Sequence, residues 1–148
     1  MKKYPFFLAA ALPVLLFLFS SCKKEDDTPK TKTELLTQAS WKYKSATVAG
    51  TPYNNFNSCQ KDNILSFSVS GNGAMDEGAT TCNAGDPQSM PFTWVFQNGE
   101  TLIQFSSPLY TNGDNTVTLV SVTETQLVLI IPITTLGPTF LVEVTFEH

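Results

Sequence analysis

The stretch from residue 90 to 106, MPFTWVFQNGETLIQFS, constrains this chain more than any other. Phe92, Trp94 and Phe96 alternate with Thr93, Val95 and Gln97; after Asn98-Gly99, Thr101, Ile103 and Phe105 alternate with Leu102 and Gln104. Asn-Gly between two alternating runs is a strong hairpin signal, because a type I′ turn needs positive φ at both central residues. A two-residue loop predicts the register: Gln97 opposite Glu100, Phe96 opposite Thr101, Val95 opposite Leu102, Trp94 opposite Ile103 and Phe92 opposite Phe105. One face is then aromatic and the other mixed. Such a sheet has one apolar side that the rest of the chain must cover.

The flanking sequence continues in the same period. Residues 33–39 suit a short helical turn with Thr33 as its N-cap. Residues 40–48 alternate, with Trp41, Tyr43 and Ser45 on one face and Lys42 and Lys44 on the other. Leu65, Phe67 and Val69 alternate with serines, and a weak strand follows at residues 74–77. After the hairpin, residues 116–123 are apolar on both faces, so the pattern leaves the inner one undecided. Leu127, Leu129, Ile131 and Ile133 share a face; Phe140, Val142, Val144 and Phe146 share another. Loops fall at residues 50–62, 78–88 and 107–114. Eight short strands joined mostly by short turns predict an all-β fold, a small eight-stranded antiparallel up-and-down barrel closed by the N-terminal helical turn. An open β-sandwich fits the strand count as well.

The N-terminus reads as a targeting segment. Lys2 and Lys3 precede the almost wholly apolar residues 6–19, whose length favours a removed signal peptide, residues 1–21, over a bilayer span. Phe19-Ser20-Ser21-Cys22 then resembles the bacterial lipobox, in which small residues precede a cysteine that is acylated and becomes the new N-terminus. Phe19 departs from the leucine common at the first position, and an ordinary secretory signal is the alternative. Several acyl chains would make attachment permanent, each buried methylene contributing about 0.8 kcal/mol. The run Lys23-Lys24-Glu25-Asp26-Asp27 is either a solvated linker or an acidic tag of the kind that sends some lipoproteins to the outer face of the outer membrane. Residues 22–32 thus form the lipidated cysteine and its tether, and residues 33–148 form one domain with enough chain for a single core.

With Cys22 acylated, Cys59 and Cys82 remain as an even pair in an oxidising compartment, where a disulfide is favoured. Charge is uneven. Arginine is absent, all nine basic residues are lysines at or before Lys61, and nine of the 13 carboxylates lie from Asp62 onward. Nucleic-acid binding needs a basic surface to neutralise phosphates and is excluded on that ground.

Trp41 on the first strand, Cys59 followed by Asp62 and Leu65-Ser66-Phe67, Cys82, the Trp94 strand with its Asn98-Gly99 turn, the strand from Val117 to Val122, and Leu127-Val128-Leu129 together form a recognisable order. It resembles the lipocalin-like domain family of lipid-anchored bacterial envelope proteins over roughly residues 34–148. The resemblance implies an eight-stranded calyx and a Cys59–Cys82 disulfide. Classical lipocalins carry Gly-x-Trp at the first strand and a late arginine over that tryptophan; this chain has Ala39-Ser40-Trp41 and no arginine.

Catalytic chemistry finds little material. His148, the one histidine, is terminal, so a nucleophile–histidine arrangement would rest on it alone. Asp76 and Glu77 are neighbours on a strand, point to opposite faces and read as solvated turn carboxylates. Residues 112–115, Asn-Gly-Asp-Asn, lack the ligand spacing of a calcium loop and read as a turn. The expectation is a protein without enzymatic activity, cofactor or metal. What remains is the calyx, with Trp41, Tyr43, Phe67, Phe92, Trp94, Phe96, Phe105, Phe140 and Phe146 as inward candidates. These either fill the barrel or line a site for a small hydrophobic ligand; a carboxylate-headed lipid would find no cation there. A carrier of that kind on the outer membrane, facing the cell exterior, is one expectation. A structural or interaction module in an envelope complex, with apolar residues Val120, Val122, Val128 and Ile130 available to a protein partner, is the other.

Overall fold

The structure is a computed structural model that describes residues 28–148; the signal segment, Cys22 and the Glu25-Asp26-Asp27 run lie outside the described residues. Among the described residues the chain forms α1 (Lys32–Thr37), β1 (Trp41–Val48), β2 (Thr51–Pro52), α2 (Ser58–Lys61), β3 (Ile64–Phe67), β4 (Asn72–Asp76), β5 (Ser89–Gln97), β6 (Leu102–Phe105), β7 (Thr116–Val122), β8 (Gln126–Thr134) and β9 (Thr139–Glu147). From β3 to β9 each strand pairs antiparallel with the next, β1 pairs with β3, and β9 returns to β1. Eight strands therefore close into an up-and-down barrel, which leaves no open sheet edge to protect along most of its length. The two-residue β2 pairs with the far end of β1, beyond the reach of β3.

Alternation decides which side chains fill it. Leu127, Leu129, Ile131 and Ile133 on β8 and Val142, Val144 and Phe146 on β9 are all buried. Pro132 breaks no ladder: it lies beyond the pairing of β7 with β8, and its carbonyl accepts from the Asp114 amide at 2.9 Å. On β7 the inner face is that of Val117 and Leu119, with Val120 exposed. Val120 is the extra residue of a β-bulge between Leu119 and Ser121, which returns Val122 to the inner side opposite Leu127. A second bulge at Lys44 on β1 does the same. It turns Ser45 outward and Ala46 inward, against the unbroken alternation expected from the sequence. Bulges bend a strand and add twist, which closure of a small barrel requires.

Other expectations need correction. The loop between β5 and β6 holds four residues, not two. Trp94 pairs with Phe105, Phe96 with Ile103 and Gln97 with Leu102. Asn98, Gly99 and Glu100 all take positive φ, and the Thr101 hydroxyl donates to the Asn98 carbonyl at 2.8 Å. The Thr101 carbonyl meanwhile accepts from the Leu119 amide at 2.9 Å, holding Thr101 against β7 and away from its predicted partner Phe96. The shift is by two residues, so every side chain keeps its face. Val69 is exposed because β3 stops at Phe67 and residues 68–71 turn. The helix starts earlier than predicted: Thr31 is the N-cap, and Glu34 accepts from the Thr31 amide at 2.8 Å to complete a capping box. Those bonds hold the Glu34 carboxyl below its ordinary range.

Helix α1 stoppers one end of the barrel. Leu36 is fully buried, and its carbonyl accepts from the Trp41 indole at 2.8 Å. Gln38 donates to the Glu124 carbonyl at 3.0 Å in the β7–β8 turn, and Lys32 donates to the Glu100 carbonyl at 2.7 Å in the β5–β6 loop. The antiparallel order sends the loops after β1, β4, β6 and β8 to the opposite mouth.

Candidate functional site

Of the calyx candidates, Phe67, Phe92, Trp94 and Phe105 pack on one another inside the barrel. Phe67 lies edge-on to Phe92 at 5.6 Å and to Trp94 at 5.7 Å between ring centroids, and Phe92 lies edge-on to Phe105 at 5.4 Å. Edge-to-face contacts of this kind add to the stabilisation from burial. Trp41, Phe105 and Phe146 are almost wholly inaccessible. Tyr43, Phe96 and Phe140 are only partly buried and pack on the margin of this core. The room for four rings between β3, β4, β5 and β6 comes from Gly73, which pairs with both Phe67 and Phe92. A Cβ there would run into the Phe92 ring and stand 2.7 Å from the Ser66 carbonyl oxygen. Large residues beside a glycine are how a small barrel fills its taper.

The mouth opposite α1 is closed by residues from the segments 50–62 and 107–114, whose polar composition predicts loops. Phe56, from the polar 50–62 segment, is buried and stacks on Tyr110 at 4.2 Å, with Tyr53 5.1 Å away. Burial raises the Tyr110 phenol above its ordinary range, with the Tyr43 phenol adding to the shift. Leu109 is buried beside it. The signal was available: Phe56 and the Leu109-Tyr110 pair are large apolar residues in otherwise polar loops, the pattern of side chains that tuck back onto a core. Residues 112–115 dock on β8, where the Thr134 amide donates to the Asn112 carbonyl at 2.9 Å. Cys59 and Cys82 form a disulfide with Cα atoms 5.2 Å apart, tying α2 to the β4–β5 loop.

Above this closed mouth lies a cleft of about 330 Å³. The disulfide side of the mouth and the β4–β5 and β6–β7 loops enclose it. Its lining includes the polar residues Gln60, Asn63, Glu77, Asn83, Asp86 and Asn112 and the apolar residues Met75, Met90 and Leu109. Glu77 is the main correction to the carboxylate reading. It is 3% exposed, not solvated, and accepts from the Cys82 amide at 3.1 Å. Asp76, its neighbour, faces the other way and accepts from the Gly78 amide at 2.8 Å. Asn63 is 6% exposed; its Nδ2 donates to the Met75 sulfur at 3.4 Å while its Oδ1 has no hydrogen-bond partner. Asp86 accepts from the Asn83 side chain at 2.8 Å. A smaller hollow of about 240 Å³ adjoins it, sharing Gln60, Thr111 and Asn112. None of the nine calyx candidates lines either space.

His148 is exposed at the other end of the barrel, its ring 4.6 Å from that of Trp41. It is therefore remote from the Glu77 and Asp86 carboxylates. Among the described residues no three of His, Cys, Asp and Glu gather to hold a metal ion. Comparison with protein-family models, with curated proteins and with solved structures finds no match to this chain.

Proposed function

We propose that this chain is a lipid-anchored envelope protein of the lipocalin-like kind, in which the barrel is a rigid, side-chain-filled scaffold for a non-catalytic interaction module. The single observation behind the scaffold reading is the packing of the Phe67, Phe92, Trp94 and Phe105 rings on one another with both mouths capped. An interior filled to close packing offers no room to a guest unless side chains move. The carrier reading, a small hydrophobic ligand in the calyx, requires that cluster to open. Binding on this scaffold belongs at the loop-built mouth, where side chains can vary without touching the barrel.

The anchor rests on the sequence: the basic start, the apolar 6–19 segment, the lipobox-like residues 19–22, and the tether behind them. Residues 28–31 are exposed and lead directly into α1, which suits a tether entering at the α1 end. An outer-membrane location facing the cell exterior follows from the Glu25-Asp26-Asp27 run if it acts as a sorting tag. No helix among the described residues is long and apolar enough to cross a membrane. Membrane fractionation of the Cys22→Ala protein tests the anchor. Wild type should pellet with membranes and the variant should move to the soluble envelope fraction. A variant that still pellets contradicts the lipoprotein reading.

A further inference from the structure

The cleft at the disulfide-tied mouth carries a specific electrostatic demand. Two carboxylates, Glu77 and Asp86, line it, and no lysine does. Glu77 is almost wholly buried, and only its Oε2 has a protein donor, the Cys82 amide. Asp86 likewise uses Oδ2 alone, toward Asn83. Asn63, itself more than nine-tenths buried, lines the same cleft, and its Oδ1 is buried without a donor. A buried acceptor without a partner is destabilising, so a ligand bringing hydrogen-bond donors is favoured over one bringing acceptors. Met75, Met90 and Leu109 add an apolar, adaptable part to the lining. Thioether side chains conform to varied shapes.

The wider charge pattern points the same way. Lys30 and Lys44 are paired at the α1 end, with Glu124 at 2.7 Å and Glu147 at 2.6 Å. Around the opposite mouth stand Asp62, Asp76, Glu77, Asp86 and Asp114; Lys42 and Lys61 share a separate depression with Asp62 and Asp76, which leaves Glu77 and Asp86 as the charged residues of the cleft itself. A cleft lined by one sign of charge concentrates the opposite sign. A bare metal ion does not suit it, since hard cations want six or more oxygens closely arranged and no such cluster exists among the described residues.

We propose that this cleft binds a small organic ammonium: a primary amine carried on an apolar body. Its N–H groups would serve the free carboxylate oxygens of Glu77 and Asp86, and its body would rest on Met75, Met90 and Leu109. A volume of about 330 Å³ suits a molecule of that size. The proposal depends on the cleft alone and not on the anchor or on the filled interior.

The test uses the full-length protein in neutral detergent and calorimetric titration with three matched probes: phenethylammonium, 2-phenylethanol and phenylacetate. Phenethylammonium should bind at least tenfold more tightly than 2-phenylethanol, and phenylacetate should not bind. Glu77→Gln should weaken phenethylammonium at least tenfold. Because Glu77 also holds the Cys82 amide, Asp86→Asn is the second variant and should weaken it several-fold with melting unchanged. Asp114→Asn, outside the cleft walls, should bind as wild type. Equal affinity for the ammonium and the alcohol, binding of phenylacetate, or indifference to both cleft variants would overturn the proposal.

Discussion

Gly73 carries more of the core than its size suggests. Its backbone pairs with Phe67 on one side and Phe92 on the other, and the Phe92 ring occupies the space a side chain would need. Its φ is not in the left-handed region, so alanine meets no backbone penalty there, only a steric one. The nearest obstacles are a buried aromatic ring and a backbone carbonyl, neither of which can swing aside cheaply. Gly73→Ala should therefore destabilise by about 2–3 kcal/mol, at the upper end of the range for overpacking. Urea unfolding followed by tryptophan fluorescence checks it; a loss below about 0.5 kcal/mol would mean that the ring relaxes freely. Glu77 makes the complementary point for polar residues. Beside Asp76 on a strand end it reads as one of two solvated acids, yet the β4–β5 loop folds over it. Strand alternation does not report that, because the covering comes from the path of the irregular loop that follows, whose Cys82 amide turns back onto the carboxylate.

Among the elements, the long strands were legible because β8 and β9 keep strict alternation over nine residues each. Where the period breaks, sequence reading fails in a physical way. The bulges at Lys44 and Val120 change face in mid-strand and are set by barrel closure, a global demand. The β5–β6 register moved by two because Thr101 bonds to β7, a partner that hairpin rules do not include. The Phe56 and Tyr110 plugs were missed since loops were read by their polar majority. The disulfide was legible from the cysteine count and the oxidising compartment that the N-terminal segment suggests, and its energetic role follows from the 23-residue separation. In the chain-entropy model a loop of that length is worth about 3 kcal/mol. The Cys59→Ser, Cys82→Ser double variant should lose about that much in denaturant unfolding while keeping the far-ultraviolet signature of the barrel. A variant as stable as wild type would show that the β4–β5 loop is held by its other bonds.

For the whole molecule, a closed barrel with two plugged ends assigns separate jobs to its two ends. The α1 end is where residues 28–31 lead into the barrel, and it carries paired lysines; the disulfide end presents the loops and the acidic cleft. The interior between them is the part that decides scaffold against carrier, since both Trp41 and Trp94 sit within it. Titration of the full-length protein with retinol, an uncharged apolar fluorophore, reads that interior through energy transfer from the two tryptophans. The account predicts no saturable transfer and an unchanged melting temperature at saturating retinol, because anything bound to the native state alone would raise it. Stoichiometric, saturable transfer with a raised melting temperature would contradict a filled barrel and restore the calyx as the site.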